Sequence, residues 1–122
     1  MSVSLNGINN HFVSTSGCSF AGPVRTPDIY VTSDKRAKEN IERITDALSK
    51  LNRLNGYTFK YKSTKEDSGG VIAQELLEIL PSLVKINPGT NMYSVQYNGV
   101  IAILIEAVKQ LSKEVEELKA RG

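Results

Sequence analysis

The sequence predicts an α+β chain: a β-rich N-terminal segment, a small helix-and-strand domain, and a long C-terminal helix of coiled-coil character. Three observations carry that expectation. Residues 1–33 are rich in Gly, Ser and Asn and hold only Arg25 and Asp28 as charges, whereas residues 34–122 carry 14 basic and 12 acidic side chains. Between Asn40 and Leu80 apolar residues recur at helical steps, interrupted by one alternating strand pattern. From Ile101 onward they settle into heptad spacing. The two parts meet near residue 33, which sets the expected boundaries at 1–33 and 34–122.

A length of 122 residues suits one domain, or a small domain with an appendage. The net charge of +2 is too small and too evenly mixed to point to nucleic acid. No apolar run approaches a membrane span, and the N-terminus lacks the basic-then-apolar layout of a secretory signal. A soluble protein without membrane or nucleic-acid partners is therefore expected. Met1 stands before what reads as the middle of a β-rich chain, so the chain is expected to start inside a longer one. Cys18 is the single cysteine and cannot form an internal disulfide. With no glycine loop before a helix, no zinc spacing and no repeat, neither metal nor cofactor is expected.

Taken in order, Val3 and Leu5 alternate with serines, Asn6-Gly7 is a tight-turn dipeptide, and Ile29-Tyr30-Val31-Thr32 has β-branched and aromatic character. Such a segment has too few large apolar residues to bury a core alone, so it is expected to complete a larger β assembly. His11, the only histidine, has no partner residue suggested nearby and reads as a surface or turn residue.

Ile41, Ile44, Leu48 and Leu51 predict an amphipathic helix from Asn40, closing at Asn55-Gly56 with a left-handed C-cap. Tyr57-Thr58-Phe59-Lys60-Tyr61-Lys62 alternates ring and polar residues as a half-buried strand. Its lysines, with Lys65, are better read as a wet strand face than as a stacking platform for nucleic acid. Ser63–Gly70 reads as a polar loop. Val71–Leu80 predicts a second helix ended by Pro81, with Glu75 and Glu78 as solvated residues. Short strands are expected at Val84-Lys85-Ile86 and Tyr93-Ser94-Val95 around an Asn87-Pro88-Gly89 turn.

A final helix is expected at about 97–121. Ile101, Val108 and Val115 fall at one heptad position and Leu104, Leu111 and Leu118 at the other, a seam that needs a helical partner. β-branched residues at a with Leu at d lean toward two strands.

The seam between the two parts, Thr32-Ser33-Asp34-Lys35-Arg36-Ala37-Lys38, holds the candidate chemistry. Ser33 lies five residues before Lys38, within reach for a serine nucleophile and a lysine base if a turn brings them together. The same residues read as local structure give a helix N-cap at Ser33 or Asp34 and a solvated first-turn Lys38. A lysine base must be uncharged, which requires desolvation or neighbouring cations such as Arg36 or Lys35.

Four stretches together resemble a known family: Ser33-Asp34-Lys35-Arg36-Ala37-Lys38-Glu39-Asn40-Ile41, Tyr57-Thr58-Phe59-Lys60-Tyr61, Gly70-Val71-Ile72-Ala73-Gln74-Glu75, and Tyr93-Ser94-Val95-Gln96-Tyr97-Asn98 running into Leu104-Ile105-Glu106-Ala107-Val108-Lys109. The family is the C-terminal intramolecular chaperone, or auto-processing peptidase, domain of bacteriophage tailspikes and tail fibres. The resemblance implies a homotrimer that aligns three chains and assists the folding of the β fibre before it. It also implies self-cleavage, with Ser33 as nucleophile, Lys38 as general base and Asp34 as the first residue of the released piece. Residues 1–33 would then be the end of a fibre in the virion tail, folded in the host cytoplasm. A non-catalytic trimerisation or interaction module is the alternative of a different class.

Overall fold

The structure is a computed structural model and describes residues 16–122. The chain divides into two compact units, Met1–Glu39 and Asn40–Gly122. The expected elements around Val3, Leu5 and Asn6-Gly7, and His11, lie outside the described residues.

In the first unit, residues 16–34 carry neither helix nor strand and are exposed, and a 3-10 turn follows at Lys35–Ala37. Ile29–Thr32, expected as a strand, is not one. A strand exists only as part of a ladder, and a single chain offers this segment no partner among the described residues. Ile29, Tyr30 and Val31 consequently stand in solvent, with Tyr30 93% exposed.

The second unit is an α+β body with two small sheets and one long helix. Its first helix, α1, spans only Ala47–Leu51. The sequence predicted a start at Asn40 and a glycine cap at Gly56, and both are corrected by the backbone. Asn40 and Asp46 take left-handed φ values of 54° and 53°, which interrupt a right-handed helix on either side of Ile41–Thr45. At the other end the helix closes at Asn52, which keeps right-handed geometry. Ile44 nevertheless packs on the core with Leu48 and Leu51, while Ile41 is exposed. The apolar spacing survives without the helix that would normally produce it.

β1 (Tyr57–Lys60) pairs antiparallel with β2 (Asp67–Gly70), Tyr57 opposite Gly70 and Lys60 opposite Asp67. The Lys60 ammonium meets the Asp67 carboxylate at 2.7 Å across the ladder. β2 is the part of the expected loop at Ser63–Gly70 that becomes a strand. Its composition is poor for a strand, but its glycines fit: a Cβ at Gly70 would run into the Tyr97 hydroxyl. That hydroxyl accepts a hydrogen bond from the Val71 N–H at 3.2 Å, fastening the end of β2 to the start of the last helix.

α2 (Ala73–Ile79) is followed by a 3-10 turn at Pro81–Leu83, as the proline predicts. β3 (Val84–Ile86) and β4 (Tyr93–Val95) form the second hairpin. Its turn is built on Asn87, whose Oδ1 accepts from the Gly89 N–H at 3.0 Å while its own N–H donates to Met92 O at 2.8 Å.

The last helix, α3, runs from Tyr97 to Arg121, where the periodicity predicted it. Two buried clusters sit on its first half. Ile103 and Ala107 pack with Ala47, Ile44, Leu48, Leu51 and Leu80, and Val100 packs with Leu76 and Val84. Gly99 lets the helix pass Leu83 closely, since a Cβ there would overlap the Leu83 side chain. Gln110 Oε1 accepts from the Leu48 N–H at 3.2 Å, so the helix also caps α1. Beyond Ala107 no residue of α3 is buried. Its heptad seam is exposed throughout, with Val108 at 61% and Leu118 at 64%.

Candidate functional site

Ser33 and Lys38 are brought together by the turn between them. Asp34 holds an extended backbone at φ −69°, ψ 133° and caps the 3-10 turn, its Oδ1 accepting from the Arg36 N–H at 2.8 Å. Ala37 N–H donates to Asp34 O and Lys38 N–H to Lys35 O, each at 3.1 Å. This reversal returns the Lys38 ammonium to the Ser33 hydroxyl, Nζ to Oγ 2.5 Å. An ammonium donates across that distance; an uncharged amine would instead accept the hydroxyl proton. Both side chains are exposed in the single chain.

Arg36 was expected among the cations that could act on Lys38. Instead it closes on Asp34, Nη2 to Oδ2 at 2.8 Å and Nε to Oδ1 at 3.1 Å. The Asp34 carboxyl is held below the ordinary carboxylate range, first by the Arg36 side chain and then by the Arg36 N–H. That N–H is engaged and supplies no oxyanion donor. Among the described residues, Lys35 and Glu39, the other charges of this stretch, form no ion pair. Sequence reasoning missed the Asp34–Arg36 clasp, although an acidic cap two residues before an arginine is a usable signal for it.

The other candidates separate. Glu75 is not solvated as expected: it accepts from the Tyr57 hydroxyl at 2.7 Å and from Asn55 Nδ2 at 3.1 Å. The bond to Glu75 raises the Tyr57 phenol above its ordinary value, with desolvation adding to the effect. Glu78 is exposed, so the two glutamates do not act as a pair. Lys60 is tied to Asp67 and Cys18 is exposed with a free thiol. Among the described residues no group of three or more His, Cys, Asp or Glu could hold a metal, and no helix is long and apolar enough to cross a membrane.

The fold and the site define a small α+β domain that ends in an unpartnered helical seam and is preceded by a serine–lysine junction. Residues 33–85 match the family described as chaperone of endosialidase. The long tail fiber protein Gp37 of Enterobacteria phage K3 is 35% identical over 106 residues, covering 80% of this chain and 8% of that protein. The Gp37 of Enterobacteria phage M1 is 39% identical over 101 residues, 75% of this chain and 40% of that protein. A probable tail fiber protein of Escherichia phage Phieco32 is 35% identical over 96 residues, 73% of this chain and 13% of that protein. The chain thus spans well under half the length of these relatives. Residues 33–85 match the chaperone-of-endosialidase family from Ser33 onward, and the chain around them is similar to part of these phage tail fiber proteins.

Proposed function

We propose that the domain is an intramolecular chaperone that joins copies of a phage tail fibre through α3, assists folding of the preceding β segment, and then releases itself by cleavage at Ser33. The observation that carries this reading is the Lys38 Nζ–Ser33 Oγ contact of 2.5 Å at the first residue of the family match. In this reading Ser33 is the nucleophile and Lys38 the general base. The hydroxyl proton passes to an uncharged Lys38 amine as Oγ attacks the carbonyl carbon of the scissile bond; the C–N bond breaks to leave an ester, and the leaving backbone nitrogen takes that proton from Lys38. The net reaction is hydrolysis, with water completing the new carboxylate.

Exposure of the pair in a single chain supports a conditional reaction. Burial disfavours an ammonium, so packing of further copies over the junction would favour the uncharged amine that catalysis needs. The exposed seam of α3 supplies a reason for copies to associate, because Ile101, Leu104, Val108, Leu111, Val115 and Leu118 are all exposed. A homotrimer is the assembly that the family resemblance implies. Prior association at the helices holds the fibre segments at high effective concentration, and removing the helices afterwards leaves the fibre kinetically trapped in its folded state. The fibre segment is thus the folding client, and the location is the virion tail.

Mass spectrometry of the assembled protein tests the reading. The wild type should give two fragments meeting at Ser33, and Ser33→Ala and Lys38→Ala should each give one intact chain in an unchanged assembly. A released piece beginning with Asp34 places the cut after Ser33, as proposed. One beginning with Ser33 places it before, as an acyl shift to the hydroxyl through a five-membered ring would do. Cleavage of Ser33→Ala at the same bond overturns the dyad.

A further inference from the structure

Resting on that reading, we infer that Arg36 is a positioning residue for self-cleavage, keeping the Asp34 carboxylate off Lys38 and holding the turn that presents Lys38 to Ser33. Three contacts define the clasp: two from the guanidinium to both carboxylate oxygens and one from the Arg36 N–H to Oδ1. Paired guanidinium–carboxylate contacts fix direction as well as distance, which a lysine in the same place cannot do.

The electrostatic consequence follows from where Asp34 sits. It is the residue after Ser33 and the cap of the turn that ends at Lys38. A carboxylate released from Arg36 in this turn would have the two lysines of the turn, Lys35 and Lys38, as partners, and Lys38 is the one held at the Ser33 hydroxyl. An ion pair with Lys38 favours the ammonium and competes with Ser33 Oγ for it, withholding the base on both counts. Lys35 and Glu39 are the remaining charges of the stretch. The clasp gives the Asp34 carboxylate a cation other than Lys38.

The two parts of the inference separate by substitution. Arg36→Gln frees Asp34 and leaves a polar side chain of similar reach. Arg36→Gln with Asp34→Asn removes the free anion as well, while the amide oxygen can still cap the turn. Full-length uncleaved chain is prepared in denaturant, refolded at a fixed concentration across pH 6 to 10, and sampled for cleavage by intact mass.

Arg36→Gln is expected to slow cleavage about tenfold at neutral pH and to move the midpoint of the pH profile up by about one unit, since one unit is a tenfold change in the uncharged fraction. The double variant is expected to return the midpoint to the wild-type position. A role in folding alone would not move the midpoint or restore it. Wild-type rate and profile in Arg36→Gln overturn the inference while leaving the dyad standing, as does a double variant whose midpoint stays displaced. Absence of cleavage in the wild type overturns the dyad itself, and the role of Arg36 with it.

Discussion

The junction turn and the body that follows it are held together in opposite ways. From Ser33 to Lys38 every described contact joins residues at most five apart, all of them polar and all exposed. In the body, order comes from apolar residues distant in sequence: Ala47 meets Ile103 and Ala107, and Leu76 meets Val84 and Val100. Local polar contacts can set a geometry without protecting it from water. The turn therefore aligns Ser33 with Lys38 and leaves both side chains in solvent.

The comparison breaks first at α3, where one helix is core along its first half and exposed along its second. Leu111→Glu should leave the body folded, because no buried residue lies beyond Ala107. It should lower the native mass to a single chain and reduce cleavage at least a hundredfold. Native mass spectrometry beside circular dichroism checks the separation; cleavage at wild-type rate by a dissociated chain would contradict it.

Inside the body, Leu76 is 1% exposed, and Leu76→Ala should cost about 2–5 kcal/mol, seen as a lower denaturant midpoint with little change in slope. Gly99→Ala should cost less, about 1–3 kcal/mol, as Leu83 shifts to admit the methyl group. The same assay measures both.

The smallest effect concerns Tyr57. Its phenol is raised because the O–H donates to the Glu75 carboxylate, so this contact contributes below the ordinary phenol value of 10.0 and is lost as pH rises through the higher folded value. Glu75→Gln should move that one phenol downward in an ultraviolet titration without altering the other tyrosines.

The elements legible in the sequence were those whose pattern and packing agree. α3 and the β3–β4 hairpin stand where periodicity and Asn87-Pro88-Gly89 put them, and α2 ends before Pro81 as expected but begins at Ala73 rather than Val71, Ile72 being extended. α1 was overread because Ile41 and Ile44 keep helical spacing while Asn40 and Asp46 adopt left-handed backbone, a choice open to Asn and Asp that spacing alone does not reveal. β2 was missed because Asp67-Ser68-Gly69-Gly70 has no strand propensity of its own; pairing with β1 and the close approach of Tyr97 decide it. At the site, the five-residue interval pointed to Ser33 and Lys38. The clasp of Asp34 by Arg36 depends on side-chain directions within the turn, which no spacing rule encodes.

The central claim, that association switches on the chemistry, is tested most directly by the concentration dependence of cleavage on refolding. Uncleaved chain diluted from denaturant over a hundredfold range of concentration should be cut faster at higher concentration, with cleaved product appearing only after the associated species forms. Cleavage at one rate across the whole range, in chains that sediment as single copies, would contradict the claim.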